Sequence, residues 1–176
     1  MKKILMTLVA VAMATTMNAQ WYVGGTVGYN YTKDKNTDVT SNTFKLLPEV
    51  GYNLNDKWAV GMKIGYAYTK FDESKAHEFV VNPYARYTFA KLDKVSFFAD
   101  GGFEYNYVKV GDEKANGFGI NIKPGVAVNL NDKVSFVAHI GEFGWASAKA
   151  KDAKSVQSVN LGLDLTSVDF GLYFNF

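Results

Sequence analysis

The chain has 176 residues, no cysteine and a formal charge of +2. That length suits one domain, and the missing cysteine excludes a disulfide framework, a thiol nucleophile and a lipid anchor on cysteine. The surplus charge belongs to the N-terminal segment: without Lys2 and Lys3 the 19 basic residues become 17, against 17 acidic ones, so no strong field argues for nucleic acid.

Residues 1–19 read as a cleavable signal peptide. Lys2 and Lys3 precede an apolar run from Ile4 to Ala14, followed by small and polar residues to Ala19, after which cleavage is expected. The run falls short of the roughly 20 residues that a spanning helix needs. The expected domain is therefore residues 20–176.

From residue 20 onward no sustained helical period appears, whereas apolar residues recur at every second position. Eight strands are predicted, at about 21–31, 43–54, 57–70, 77–90, 95–108, 117–130, 133–146 and 158–176, the last with an irregularity near Thr166 and Ser167. In the third, Trp58, Val60, Met62, Ile64, Tyr66 and Tyr68 share one face, opposite Ala59, Gly61, Lys63, Gly65 and Ala67. The turns Leu54-Asn-Asp-Lys57, Leu92-Asp-Lys94 and Leu130-Asn-Asp-Lys133 repeat every 38 residues, one pair of strands plus two turns. Longer polar segments at Thr32 to Asn42, Phe71 to Ala76, Lys109 to Asn116 and Ser147 to Gln157 read as exposed loops. Pro48, Pro83 and Pro124 lie inside strands, where each predicts a bulge or a missing ladder bond.

Short and long connections thus alternate, and an even strand count brings both termini to the short-turn side. The predicted fold is all-β: an eight-stranded antiparallel up-and-down transmembrane β-barrel. A soluble barrel would turn its apolar face inward, but an eight-stranded interior is only just wide enough for ordinary side chains, so the many rings of that face are expected to point to lipid. Tyr52 and Trp58 near the short turns, and Tyr66, Tyr68, Tyr105 and Tyr107 near the loops, are expected to form aromatic girdles. Trp58 to Tyr68 rises about 25 Å once the strand tilts, which matches an apolar band.

Alternation sends Lys45, Glu49, Lys63, Glu78, Arg86, Asp100, Glu104, Lys123, His139 and Asp169 to the inner face. Charges away from bulk water must be paired, so these are expected to form an ion-pair network with Arg86 at its centre. A selectivity lining for a narrow pore is the alternative. No histidine cluster at metal spacing, nucleophile motif or phosphate-cradling loop is recognisable, so no catalytic residue, metal or cofactor is expected.

The signal peptide, the alternating strands, Pro48-Glu-Val-Gly-Tyr-Asn-Leu-Asn-Asp-Lys57 and the aromatic end at Phe176 resemble the small outer-membrane β-barrel family around the OmpX and OmpA transmembrane domains, often labelled "porin family". The resemblance covers the chain beyond its signal peptide. It implies the outer membrane of a Gram-negative bacterium and a terminal strand read by the barrel-assembly machinery, which extends to Tyr173, Phe174 and Phe176. It also implies a non-enzymatic structural or surface-interaction role, with a narrow solute channel as alternative and lipid A modification as a third reading. The chain stops at the barrel, so the peptidoglycan-binding domain of full-length OmpA is expected to be absent. Membrane lipid and lipopolysaccharide are the expected partners of a monomer that binds no nucleic acid.

Overall fold

The computed structural model describes residues 20–33, 40–71, 74–150, 155–162 and 168–176; the expected signal peptide lies outside them. Among the described residues ten strands follow in order: β1 Trp21–Lys33, β2 Thr40–Asn53, β3 Trp58–Lys70, β4 Lys75–Leu92, β5 Val95–Val110, β6 Glu113–Asn129, β7 Val134–Ile140, β8 Glu142–Ala150, β9 Val156–Gly162 and β10 Val168–Asn175. β7 with β8, and β9 with β10, are the two parts of single staves. Eight antiparallel staves therefore close into a barrel, sealed where Tyr22↔Asn175 through Val27↔Phe170 join β1 to β10.

Both described ends meet at the short-turn rim. The Phe176 amide donates to the Trp21 carbonyl at 2.8 Å, and the Asn53 amide to that of Gln20 at 2.6 Å. The 38-residue repeat proves to be one capped turn used twice. Asn55 Oδ1 accepts the amides of Lys57 and Trp58, both at 2.9 Å. Asn131 Oδ1 accepts those of Lys133 and Val134 at the same distance. The middle copy lacks this asparagine and turns instead on Asp93, at a left-handed φ of 36°.

The opposite rim departs from expectation. Lys109 to Asn116 is not a loop, because β5 and β6 continue to Val110 and Glu113 and join through Gly111 and Asp112 alone. Gly111, at φ 58°, supplies the left-handed turn at no steric cost, and polar side chains suit both faces of a ladder that has left the lipid. Strand likewise takes in Thr40 to Asn42, Lys75 with Ala76, and Ser147 to Ala150.

Each proline coincides with an interrupted ladder. Beside Pro48 the β2–β3 pairing lapses between Leu46↔Tyr66 and Glu49↔Lys63. Beside Pro83 the β4–β5 pairing lapses between Val81↔Tyr105 and Tyr84↔Gly102, with register kept in both cases. Pro124 faces a bulge: Gly125 pairs with His139 but Ile122 with Phe143, so one extra residue sits on the facing strand, where Gly141 has φ 74°. Thr166 and Ser167 lie outside the described residues. The flanking registers, Ile140↔Val168 and Glu142↔Gly162, set six steps of the last stave against two of its neighbour.

Apolar side chains point outward all round, with Val27, Leu46, Ile64, Phe79, Phe103, Ile120 and Phe170 all exposed, a surface that only lipid can cover. The rings of the apolar face thus stay outside, but the opposite face brings in rings that the volume argument left out of account. Four are inside, and each stands directly across the ladder from a glycine: Tyr22 from Gly51, Tyr84 from Gly61, Phe98 from Gly125 and Tyr173 from Gly24. The ring takes the volume that the missing Cβ leaves.

Gly125→Val tests this fit, because a Cβ there would meet both the Phe98 ring and the Ala138 carbonyl oxygen. We expect urea unfolding of the refolded barrel to show a loss of about 1–3 kcal/mol. Gly101→Val, on the outer face with its nearest atom at 4.0 Å, should lose much less. Equal stability of the two variants would refute the ring-and-glycine account.

Candidate functional site

One layer of the lumen draws side chains from every stave but the sixth, which contributes Gly125 beneath a ring. At its centre Arg86 makes a bidentate pair with Asp100, Nε to Oδ1 at 2.6 Å and Nη2 to Oδ2 at 2.8 Å. Its guanidinium lies 3.9 Å from the Phe98 ring centroid, and Nη2 also donates to the Tyr173 hydroxyl at 3.2 Å. Tyr173 donates its own O–H to Glu49 Oε2 at 2.7 Å, while Tyr84 donates to Glu49 Oε1. Since the Tyr84 proton is committed to Glu49, the 2.6 Å contact between the hydroxyls of Tyr22 and Tyr84 has Tyr22 as donor.

Lys63 and His139 complete the layer. Lys63 Nζ lies 3.5 Å from Asp100 Oδ2 and 3.8 Å from Glu49 Oε2. His139 Nε2 is 2.8 Å from Asp100 Oδ2, so that nitrogen carries the proton and the neighbouring lysine must turn to the carboxylates. With a neutral imidazole, two cations face two carboxylates. Among the described residues no buried side-chain nitrogen or oxygen lacks a partner.

A second cluster sits nearer the loop rim. Lys123 Nζ bridges Glu104 at 3.3 Å and Glu142 at 3.2 Å, Asn121 supports Glu104 at 3.4 Å, and Asn106 reaches Glu78 at 3.5 Å. Lys45 and Asp169 flank Gly28 on the luminal side, Lys45 being open to water. Between the clusters lies a cavity of about 40 Å³, touched by Lys63, His139, Glu104, Lys123 and Asp169 and roomy enough for a bridging water. On the short-turn side a funnel of about 590 Å³ ends on Tyr22, Arg86, Phe98 and Tyr173. The lumen is thus a cup, a closed layer, a small polar cavity and a mouth.

Of the ten charged positions read from alternation, Glu49, Lys63, Arg86, Asp100 and His139 meet in the closed layer, Glu104 and Lys123 pair nearer the loop rim, Glu78 meets Asn106, and Lys45 and Asp169 flank Gly28 apart from either group. Alternation also contained Tyr22, Tyr84, Phe98 and Tyr173, which share parity with Gly24, Arg86, Asp100 and Asp169, but the volume argument passed over them. Strict parity could not find Glu142, because the extra residue at Gly141 switches the inward positions from odd in β7 to even in β8.

The named outer-face rings fall near the two rims. Tyr52 packs on Trp21 and bonds Gln20, and Trp58 packs on Tyr87. Near the loop rim the Tyr66 hydroxyl contacts His77 Nδ1 at 2.5 Å, Tyr68 packs on His77, and Tyr105 donates to Asn116 at 2.9 Å, while Tyr107 pairs with Phe79 and Asn116. Phe174 is exposed on the outer side, unlike the buried Tyr173, and Phe176 follows the end of β10.

A family model described as the outer membrane protein beta-barrel domain matches residues 4–166. Three solved structures are similar over nearly their whole length. The Neisserial surface protein A is 15% identical, covering 90% of this chain and 98% of that one with a TM-score of 0.58. OprG of Pseudomonas aeruginosa is 12% identical, with coverages of 91% and 97% and a TM-score of 0.53. The N-terminal barrel domain of OprF from the same organism is 13% identical, with coverages of 89% and 98% and a TM-score of 0.50. At such identities the likeness is one of fold. No curated protein matches the chain.

Arg86→Ala would leave Asp100 and Glu49 short of their principal cation, and we expect it to cost about 3–5 kcal/mol in urea unfolding. Removing Asp100 as well should restore part of that loss. An Arg86→Ala midpoint equal to that of the parent would contradict the assignment of Arg86 as the centre of the layer.

Proposed function

The chain belongs to the outer membrane protein β-barrel domain family, and from that membership we infer a non-conducting, non-enzymatic barrel that serves the structure of the outer membrane and displays its loop rim at the surface. The Arg86–Asp100–Glu49 layer carries this reading. Its bidentate pair, stacked ring and three tyrosines fill the cross-section between funnel and cavity. An ion crossing it would have to displace groups that compensate one another's buried charge. The short-turn rim, with both described chain ends, faces the periplasm, as in barrels of this kind.

Export through a signal peptide at residues 1–19, insertion guided by the assembly machinery through Phe174 and Phe176, and a monomeric state surrounded by lipid and lipopolysaccharide belong to the same proposal. Tyr173 then serves the interior rather than the lipid-facing part of the terminal signal, since its ring is buried against Gly24.

One observation favours the narrow channel as the second reading: water-sized spaces lie immediately on either side of a single closed layer. Planar-bilayer recording separates the two. The parent barrel should show no steady open state, whereas the Arg86→Ala/Asp100→Ala barrel, which loses the central pair, should conduct. Steady open events in the parent would overturn the non-conducting reading.

A further inference from the structure

The short-turn end of the lumen holds a donor that the closed layer leaves unused. Arg86 commits Nε and Nη2 to Asp100 and Tyr173, and among the described residues Nη1 donates to no protein group. Since no buried side-chain nitrogen there lacks a partner, Nη1 is open, and the cavity that Arg86 lines is the short-turn funnel. The rest of the side chain is enclosed, with 9% of its surface accessible. The carboxylates that balance it lie behind, since Glu49 and Asp100 are buried and do not line the funnel. The layer thus turns its positive pole toward the short-turn side, where a recessed guanidinium attracts an oxyanion more strongly than it would in open water.

The walls above this floor are of one chemical kind. Asn53, Thr88, Ser96, Asn129, Ser135 and Asn175 surround the funnel, each from a different strand, and none is ionisable. The other charged groups lining it are Asp56, Lys57, Lys91 and Asp93 at the rim, whose charges cancel. The Ser135 hydroxyl donates to Asn129 Oδ1 at 2.9 Å and accepts from Asn175 Nδ2 at 3.0 Å. That chain leaves the Asn129 N–H groups and the Asn175 oxygen, donors and an acceptor, for an occupant. The walls therefore suit hydroxyls or amides, and the floor suits a carboxylate, which can accept from Nη1 without displacing Asp100. The opposite mouth carries Glu78, Glu104, Lys123 and Glu142 instead, so the two ends of the lumen are chemically distinct. At about 590 Å³ the funnel has the size of a small-molecule site.

We propose that the funnel binds a small carboxylate whose remaining groups are uncharged hydroxyls or amides, with the carboxylate on Arg86 Nη1. In the orientation given above the ligand is a periplasmic solute, although binding itself depends only on the funnel. Because Nη1 belongs to the guanidinium that holds Asp100, occupancy anchors the layer from its open side, and the bound barrel is the more stable one.

The refolded barrel in phosphatidylcholine nanodiscs is titrated with sodium gluconate, a polyhydroxylated carboxylate, at constant ionic strength, and backbone amide shifts are read by NMR. Gluconate should give saturable shifts at Ser96, Phe98, Ser135 and Tyr173, and none at Glu104 or Asn106 toward the other mouth. Sorbitol, which lacks the charge, and hexanoate, which lacks the hydroxyls, should each bind about tenfold more weakly or worse. Thr88 lies two residues from Arg86 on the same face, so Thr88→Asp supplies a tethered carboxylate and should weaken gluconate by roughly tenfold or more. Thr88→Asn, which matches aspartate in size without its charge, should still bind. Should Thr88→Asp fail to fold, the ligand series on the parent decides alone. The absence of a saturable gluconate shift, equal binding of sorbitol, hexanoate or chloride, or full binding by a folded Thr88→Asp barrel would overturn the site.

Discussion

The Arg86–Asp100 pair is the constraint around which the lumen is arranged. A guanidinium and a carboxylate held away from bulk water must be matched both in charge and in hydrogen bonds, because their mutual attraction alone does not repay desolvation. The remaining positions follow from that demand. Glu49 balances Lys63, the hydroxyls of Tyr84 and Tyr173 occupy the oxygens of Glu49, and His139 takes the second side of Asp100. Since these groups come from different staves, a slip of one residue in any of them would turn its member of the layer outward. The network thus ties barrel register to electrostatic compensation.

Shape makes the same selection by another route. A closed barrel of eight staves has little interior volume, and four rings enter it only because a glycine stands across from each. A ring shifted by one rung would meet a neighbour with a side chain. Packing and charge therefore agree on one register, the consistency that separates a single native arrangement from near alternatives. The prolines and the Gly141 bulge fit this scheme, since each interrupts a ladder locally without dissolving the strand.

Outside, the solvent changes with height and the chain changes with it. Apolar residues fill the middle and rings with polar tips lie toward the edges, where an amphipathic side chain can satisfy both phases.

Much of this was legible in the residues themselves. A period of two held through eight segments, with polar punctuation and a 38-residue repeat, is enough to specify a closed antiparallel barrel, because alternation reports two different solvents on two faces of one strand. The inward charges of Glu49, Arg86, Asp100 and Lys123 follow from that same parity. Three things needed the folded chain. The pairing of each inward ring with a glycine depends on register between strands, which periodicity along one strand does not encode. The entry of Glu142 depends on one extra residue at Gly141, which reverses parity after the bulge. The apparent loop at Lys109 to Asn116 became a hairpin because, outside the lipid, polar residues on both faces are compatible with strand, and composition alone cannot separate the two. Sequence therefore determined which solvent each face meets, and tertiary structure decided which side chains meet one another.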